Sequence, residues 1–197
     1  LHDDDHAHQP QHDGQNLLAV HLRNVETSSR WHPGAGLFPK VQLIIKNPEH
    51  IKIWGTFLTT PKVNENTALV KIKTLTVGEK LKATYTIIDP SGHTVTSFHN
   101  SISFDGEFEQ NIQVPYPQLW SPEHPHLYTA ITELYHGAEL VDREETRFGI
   151  RTIDYQRDTG FSLNGESRKF KGVCLHHDLG PLGAAVNKAA LRRQLII

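Results

Sequence analysis

Methionine is absent from the 197 residues, position 1 included, and cysteine occurs once, at Cys174. A lone thiol closes no intrachain bridge, so packing must hold the fold. No apolar run approaches the ~18 residues of a membrane span. The chain opens on His and Asp instead of a basic stretch followed by an apolar one, so no signal peptide is read. The compartment stays open, periplasm and secretion included. A surplus of either charge is missing as well. Twenty basic and 22 acidic residues leave a formal net charge of -2, which gives no electrostatic reason to expect nucleic acid or an anionic membrane as a partner. Phosphate loops are absent too: neither Gly34-Ala35-Gly36 nor the stretch from Gly180 to Gly183 shows the glycine and lysine spacing that cradles a phosphate.

What is present suits a globular chain with a real core: 37% hydrophobic and 21% charged residues. The first sixteen residues are polar, with His2, His6, His8 and His12 among aspartates. They read as a solvated end, not a metal site, because no apolar residues fix the geometry. From Leu17 the texture becomes that of strands. Leu17–Leu22, Val41–Ile45 and Ile51–Trp54 are candidates, with the Gly/Pro-rich loop Trp31-His32-Pro33-Gly34-Ala35-Gly36 between the first two.

Beyond Pro61 strands recur at even spacing: Ala68–Thr76, Lys80–Ile88, Val95–Phe104, Glu107–Val114, Leu127–Tyr135 and Glu139–Phe148. Val77-Gly78, Asp89-Pro90-Ser91-Gly92, Asp105-Gly106 and His136-Gly137 supply the turns. Lys71, Lys73, Lys80 and Lys82 alternate with Ile72, Leu81 and Ala83, so one face is wet and the other buried. Short antiparallel strands in this number predict an immunoglobulin-like sandwich. The final segment differs. Phe161–Glu166 reads as a hairpin, and Phe170–Leu175 as a short apolar strand ending in His176-His177-Asp178. A loop to Gly183 and a helix from Asn187 follow. Strand, polar loop and helix make the first unit of an α/β fold. The helix breaks off in mid-pattern without a cap, which, with the missing methionine, reads as a piece of a longer chain.

Four stretches, in order, give the sequence a resemblance to glycoside hydrolase family 2, the group of β-galactosidases, β-glucuronidases and β-mannosidases. They are Ser28-Ser29-Arg30-Trp31-His32-Pro33-Gly34-Ala35-Gly36-Leu37-Phe38; Trp54-Gly55-Thr56 with Thr59-Thr60-Pro61; Leu119-Trp120-Ser121-Pro122-Glu123 with Pro125 and Leu127-Tyr128; and Arg147-Phe148-Gly149-Ile150-Arg151 with Leu163-Asn164-Gly165 and Lys171 to Asp178. The His-His-Asp form looks more like the β-galactosidase-type members than the β-mannosidases. Pro39 departs from the family, which often carries an arginine there.

The resemblance implies a mainly β chain in three parts: residues 1–57 as the last strands of a jelly-roll sugar-binding domain, 58–151 as the immunoglobulin-like sandwich, and 152–197 as the start of a catalytic (β/α)8 (TIM) barrel. It implies retaining hydrolysis of terminal β-galactosides or related β-glycosides, and a carbohydrate as the substrate. In the family both catalytic glutamates stand on later barrel strands, so no catalytic residue is assigned here and the chain alone is expected to be inactive. The one Asn-Glu pair, Asn64-Glu65, falls just after the crossing into the sandwich. By the same resemblance His176 matches a histidine that contacts substrate at the end of the first barrel strand, and His177, Asp178 and Trp31 are the other substrate-contact candidates.

Trp120 and Trp54 read as packing residues, and Cys174, inside an apolar strand, as a buried thiol and not a nucleophile. No cofactor and no metal site is read from the residues; a cation in the parent protein and its oligomeric state are left open. The readings from other classes are a non-enzymatic carbohydrate-binding or adhesion module and a structural subunit that assembles through the sandwich.

Overall fold

The computed structural model of the chain describes residues 19–21, 42–102, 106–174 and 187–196, the side chains of 99–102 excepted. The chain divides into two units, one of residues 44–172 and one of 1–43 with 173–197. The larger unit is built from antiparallel strands: β1 (His50–Val63), β2 (Thr67–Val77), β3 (Leu81–Ile88), β4 (Thr94–Ile102), β5 (Glu107–Pro115), β6 (Tyr128–His136), β7 (Glu139–Phe148), β8 (Ile153–Gln156), β9 (Gly160–Leu163) and β10 (Glu166–Ser167).

The first seven strands form two sheets, ordered β1-β2-β5 and β4-β3-β6-β7. Alternation puts them there. In β2, Ala68, Val70, Ile72, Thr74 and Thr76 are buried, while their neighbours Lys71 and Lys73 face outward to pair with Glu109 and Glu107 on β5. In β3, Leu81, Ala83, Tyr85 and Ile87 point inward, as do Tyr128, Ala130, Thr132 and Leu134 in β6. The two inner faces, with Phe108, Ile112 and Val114 of β5, close one apolar core. Tyr85 Oη bonds Thr74 Oγ1 across it at 3.1 Å, and burial raises that phenol's pKa. At the start of β6 the Tyr128 hydroxyl accepts the Gln118 amide, ten residues upstream, at 2.9 Å. This is the corner that immunoglobulin-like domains build at the same place. The mainly β reading and the sandwich therefore hold.

Three expected strands are not found among the described residues. Residues 42–47 and 170–174 adopt no strand, and neither do residues 19–21, the described part of Leu17–Leu22. An apolar run becomes a strand only where a neighbour takes up its hydrogen bonds, and among the described residues none does. Leu43 and Ile45 are accordingly exposed, and so is Cys174, which is not the buried thiol that its sequence context suggested. Trp54 is also not core: it is 89% exposed, with φ at 62°. The cause is a bulge. The register of β1 on β2 passes from Ile51↔Thr76 to Thr56↔Thr74, so four residues of β1 face one of β2 and the alternation is lost. The tight bend there needs Gly55, where a Cβ would lie 2.7 Å from the Leu75 and Lys52 carbonyl oxygens.

The stretch ahead of β1 is latched to β7. Asp142 Oδ2 accepts from Lys46 Nζ at 3.0 Å and from the Ile51 amide at 2.9 Å, and Asn47 Nδ2 donates to the Val141 carbonyl. After β7, strands β8, β9 and β10 make a separate small sheet, with rings of Tyr155, Phe161 and Phe170 in contact along it. In the second unit the helix α1 (Lys188–Ile196) is described, capped by Asn187, whose Oδ1 accepts from the Ala189 and Ala190 amides.

Candidate functional site

The substrate-contact candidates Trp31, His176, His177 and Asp178 lie outside the described residues, as does the His/Asp-rich beginning of the chain. What the described residues do bring together is three stretches of the family resemblance that are far apart in sequence: 119–123, 147–151 and 163–165.

Trp120 is the meeting point. Its amide donates to the Ile150 carbonyl at 2.8 Å, which ties the 119–123 stretch to the end of β7. Its side chain lies against Gly149, where a Cβ would stand 2.8 Å from both Trp120 Cβ and Cγ. No larger residue fits without moving the indole. The Arg151 guanidinium lies over the indole face, 5.3 Å from the ring centroid, and the Arg151 carbonyl accepts from Thr60 Oγ1. Trp120 is thus a packing anchor.

Asn164 closes the arrangement from the third stretch. Asn164 and Gly165 sit at positive φ, 53° and 81°, in the two-residue turn between Leu163 and Glu166. Such a hairpin turn favours Asn-Gly because asparagine tolerates this region and glycine is indifferent to it. The Asn164 side chain then does more than turn the chain. Its Oδ1 accepts the Thr152 amide at 3.0 Å and its Nδ2 donates to the Trp120 carbonyl at 3.0 Å, while the backbone N–H of Asn164 donates back to the Thr152 carbonyl. Sequence reasoning read a hairpin from this dipeptide but missed the clip; nothing in the local sequence shows that position 164 faces positions 120 and 152.

Beside the clip, a groove of about 490 Å³ is lined by Ser121, Glu123, His124, His126, Glu166 and Arg168 among others. Arg168 donates to Glu123 at 2.7 Å and to Glu166 at 3.1 Å. Hydrogen bonding from that guanidinium pulls the Glu123 carboxyl down to about 2. Asp89 and Asp142 are displaced the same way. Asp89 is lowered chiefly by the His93 amide. For Asp142, burial pulls upward, but Lys46 and the Ile51 and Arg143 amides outweigh it. A carboxyl that donates a proton near neutral pH needs the opposite displacement. These three stay ionised near neutral pH and are suited to holding structure. Asn64 also works structurally: its Oδ1 accepts the Asn66 and Thr67 amides in the turn from β1 to β2. Among the described residues no group of three or more His, Cys, Asp or Glu is placed to hold a metal ion.

The geometry is therefore that of a sandwich whose exit is fastened at Trp120 and Asn164, and known proteins share its fold. The family model for glycosyl hydrolases family 2 matches residues 50–151, from the first residue of β1 to the arginine over Trp120. The chain belongs to this family. It is 38% identical over 195 residues to the β-galactosidase BoGH2A of Bacteroides ovatus, covering 94% of this chain and 23% of that protein. It is 36% identical over 185 residues to a putative β-glucuronidase of Formosa agariphila, covering 92% of this chain and 18% of that one. The crystal structure of a family 2 member from Bacteroides cellulosilyticus superposes with a TM-score of 0.69 at 35% identity, over 77% of this chain and 22% of that one. The chain thus spans about a quarter or less of the length of these relatives.

Proposed function

We propose that the whole protein is a retaining glycosidase that removes terminal β-galactosides or closely related β-glycosides, and that these 197 residues supply its scaffold and not its catalytic carboxyls. The observation that carries this reading is the family match over residues 50–151, whose final stretch is fastened to Trp120 by backbone and side-chain contacts. Relatives with this segment are named β-galactosidases and β-glucuronidases.

Retention takes two carboxyl groups about 5–5.5 Å apart, one attacking the anomeric carbon and one protonating the leaving oxygen. The sandwich contributes no chemistry in this scheme. It fixes the direction in which the chain leaves β7, and the clip at Asn164 holds that direction. His176, with His177 and Asp178, contacts sugar hydroxyls, where bonds that tighten as charge develops lower the barrel reaction's barrier. Trp31 offers its face to the C–H side of the ring. The parts fall at 1–57 for the jelly-roll end, 58–151 for the sandwich and 152–197 for the start of the barrel.

The test is the longer protein given nitrophenyl β-galactoside and nitrophenyl β-glucuronide, with the anomer released first followed by proton NMR. Release of the β-anomer from the galactoside supports the reading. Release of the α-anomer contradicts retention, and turnover of the glucuronide alone contradicts the galactoside assignment.

A further inference from the structure

A second groove, of about 630 Å³, opens where β1 meets the end of β7, and Leu58, Thr59, Leu127, Phe148 and Ile153 form much of its wall. Arg147 and Arg151 also line it. Both arginines are exposed, and neither has a carboxylate within ion-pair distance among the described residues, so both guanidinium groups are available to a partner. Arg151 is already ordered: the indole of Trp120 supports its guanidinium, Thr60 holds its carbonyl, and Trp120 in turn is held by Ile150 and Asn164. A guanidinium ordered before its partner arrives loses little entropy on pairing, and its planar fork matches a carboxylate.

The wall chooses between partners. A sugar needs acceptors for its hydroxyl protons, and no Asp, Glu, Asn or Gln lines the groove; two threonines are the hydroxyl groups there. Apolar side chains around an arginine and a tryptophan, without acidic residues or lysine, are instead the composition of a buried protein interface.

We infer that this groove is a docking site for a polypeptide segment bearing an aspartate or glutamate, and that the segment belongs to the same polypeptide, outside these 197 residues. This rests on the longer glycosidase proposed above. Relatives four to five times longer than this chain have the polypeptide to supply it. The carboxylate pairs with Arg151 and Arg147, and apolar residues beside it cover Leu58, Leu127 and Ile153.

Two measurements on the longer protein and on the 197-residue chain test this. The first is modification by phenylglyoxal, read site by site by mass spectrometry. Arg147 and Arg151 react freely in the chain and at least about tenfold more slowly in the longer protein, because the docked segment excludes water and reagent. Equal rates overturn the inference. The second replaces the arginine by an amine, Arg151→Lys, and adds a carbodiimide, which joins lysine and a contacting carboxyl as an amide with loss of water. The expected product is an intramolecular link from position 151 to an Asp or Glu outside residues 1–197. A link between two copies, a link within residues 1–197, or no link overturns it. Protection of the isolated chain by glucuronate also overturns it, in favour of a sugar site. A protein that hydrolyses β-galactosides while both arginines stay reactive defeats this inference alone. Covered arginines without hydrolysis defeat the functional reading alone.

Discussion

Gly149 has no Cβ because Trp120 occupies its place. Gly149→Ala therefore overpacks a contact whose near atoms are the first two side-chain carbons of Trp120, which cannot swing aside. A loss of about 1–3 kcal/mol in urea unfolding is expected. Asn164→Ala removes the acceptor of the Thr152 amide and the donor to the Trp120 carbonyl, and places a Cβ-only residue at φ 53°. It too should lower stability, by about 1–3 kcal/mol. Thr132 goes the other way. Its hydroxyl is buried without a hydrogen-bond partner. Thr132→Val keeps the shape and removes the unsatisfied group, so the melting temperature should rise, with a gain of about 1 kcal/mol. Legibility at this scale was uneven. Trp120 could be read as an anchor because an indole between leucine and Ser-Pro has few other uses. Trp54 could not be read correctly, because a bulge is a property of two strands and a single strand's alternation cannot show it.

The elements themselves were largely legible. β2, β3, β5, β6 and β7 fall within a residue or two of the expected ranges, since period-two burial and turn residues both report the same local geometry. The apolar runs at 42–45 and 170–174 were not, because a run of this kind shows the capacity to pair and says nothing of whether a neighbour is present. The junction of 46–51 with β7 was also invisible, as Asp142 lies some ninety residues from its partners. That latch has a pH signature. The Asp142 carboxyl sits below its ordinary value of 3.8 in the folded chain. Folding thus favours the ionised form. The stabilisation is present above the ordinary value and is lost as pH falls through the lower, folded one. Asp142→Asn should flatten the acid limb of a stability curve between about pH 5 and pH 2. An unchanged acid limb in urea midpoints would remove the latch as the cause.

For the molecule as a whole, order was the informative signal. Four short stretches in a fixed sequence pointed to a family that residues 50–151 then matched, and three of those stretches meet around Trp120. Sequence could show that the stretches belong together, but not that Asn164 joins them, since spatial convergence leaves no trace in spacing. The same convergence gives the proposed division of labour: a sandwich that holds direction, with the chemistry elsewhere in the polypeptide. The decisive comparison is the purified 197-residue chain beside the longer protein, both given nitrophenyl β-galactoside and nitrophenyl β-glucuronide. Turnover of the galactoside by the longer protein and none by the folded chain is the expected result. Turnover by the chain that follows it through every purification step would mean that these residues carry catalytic groups of their own, and would contradict their role as scaffold.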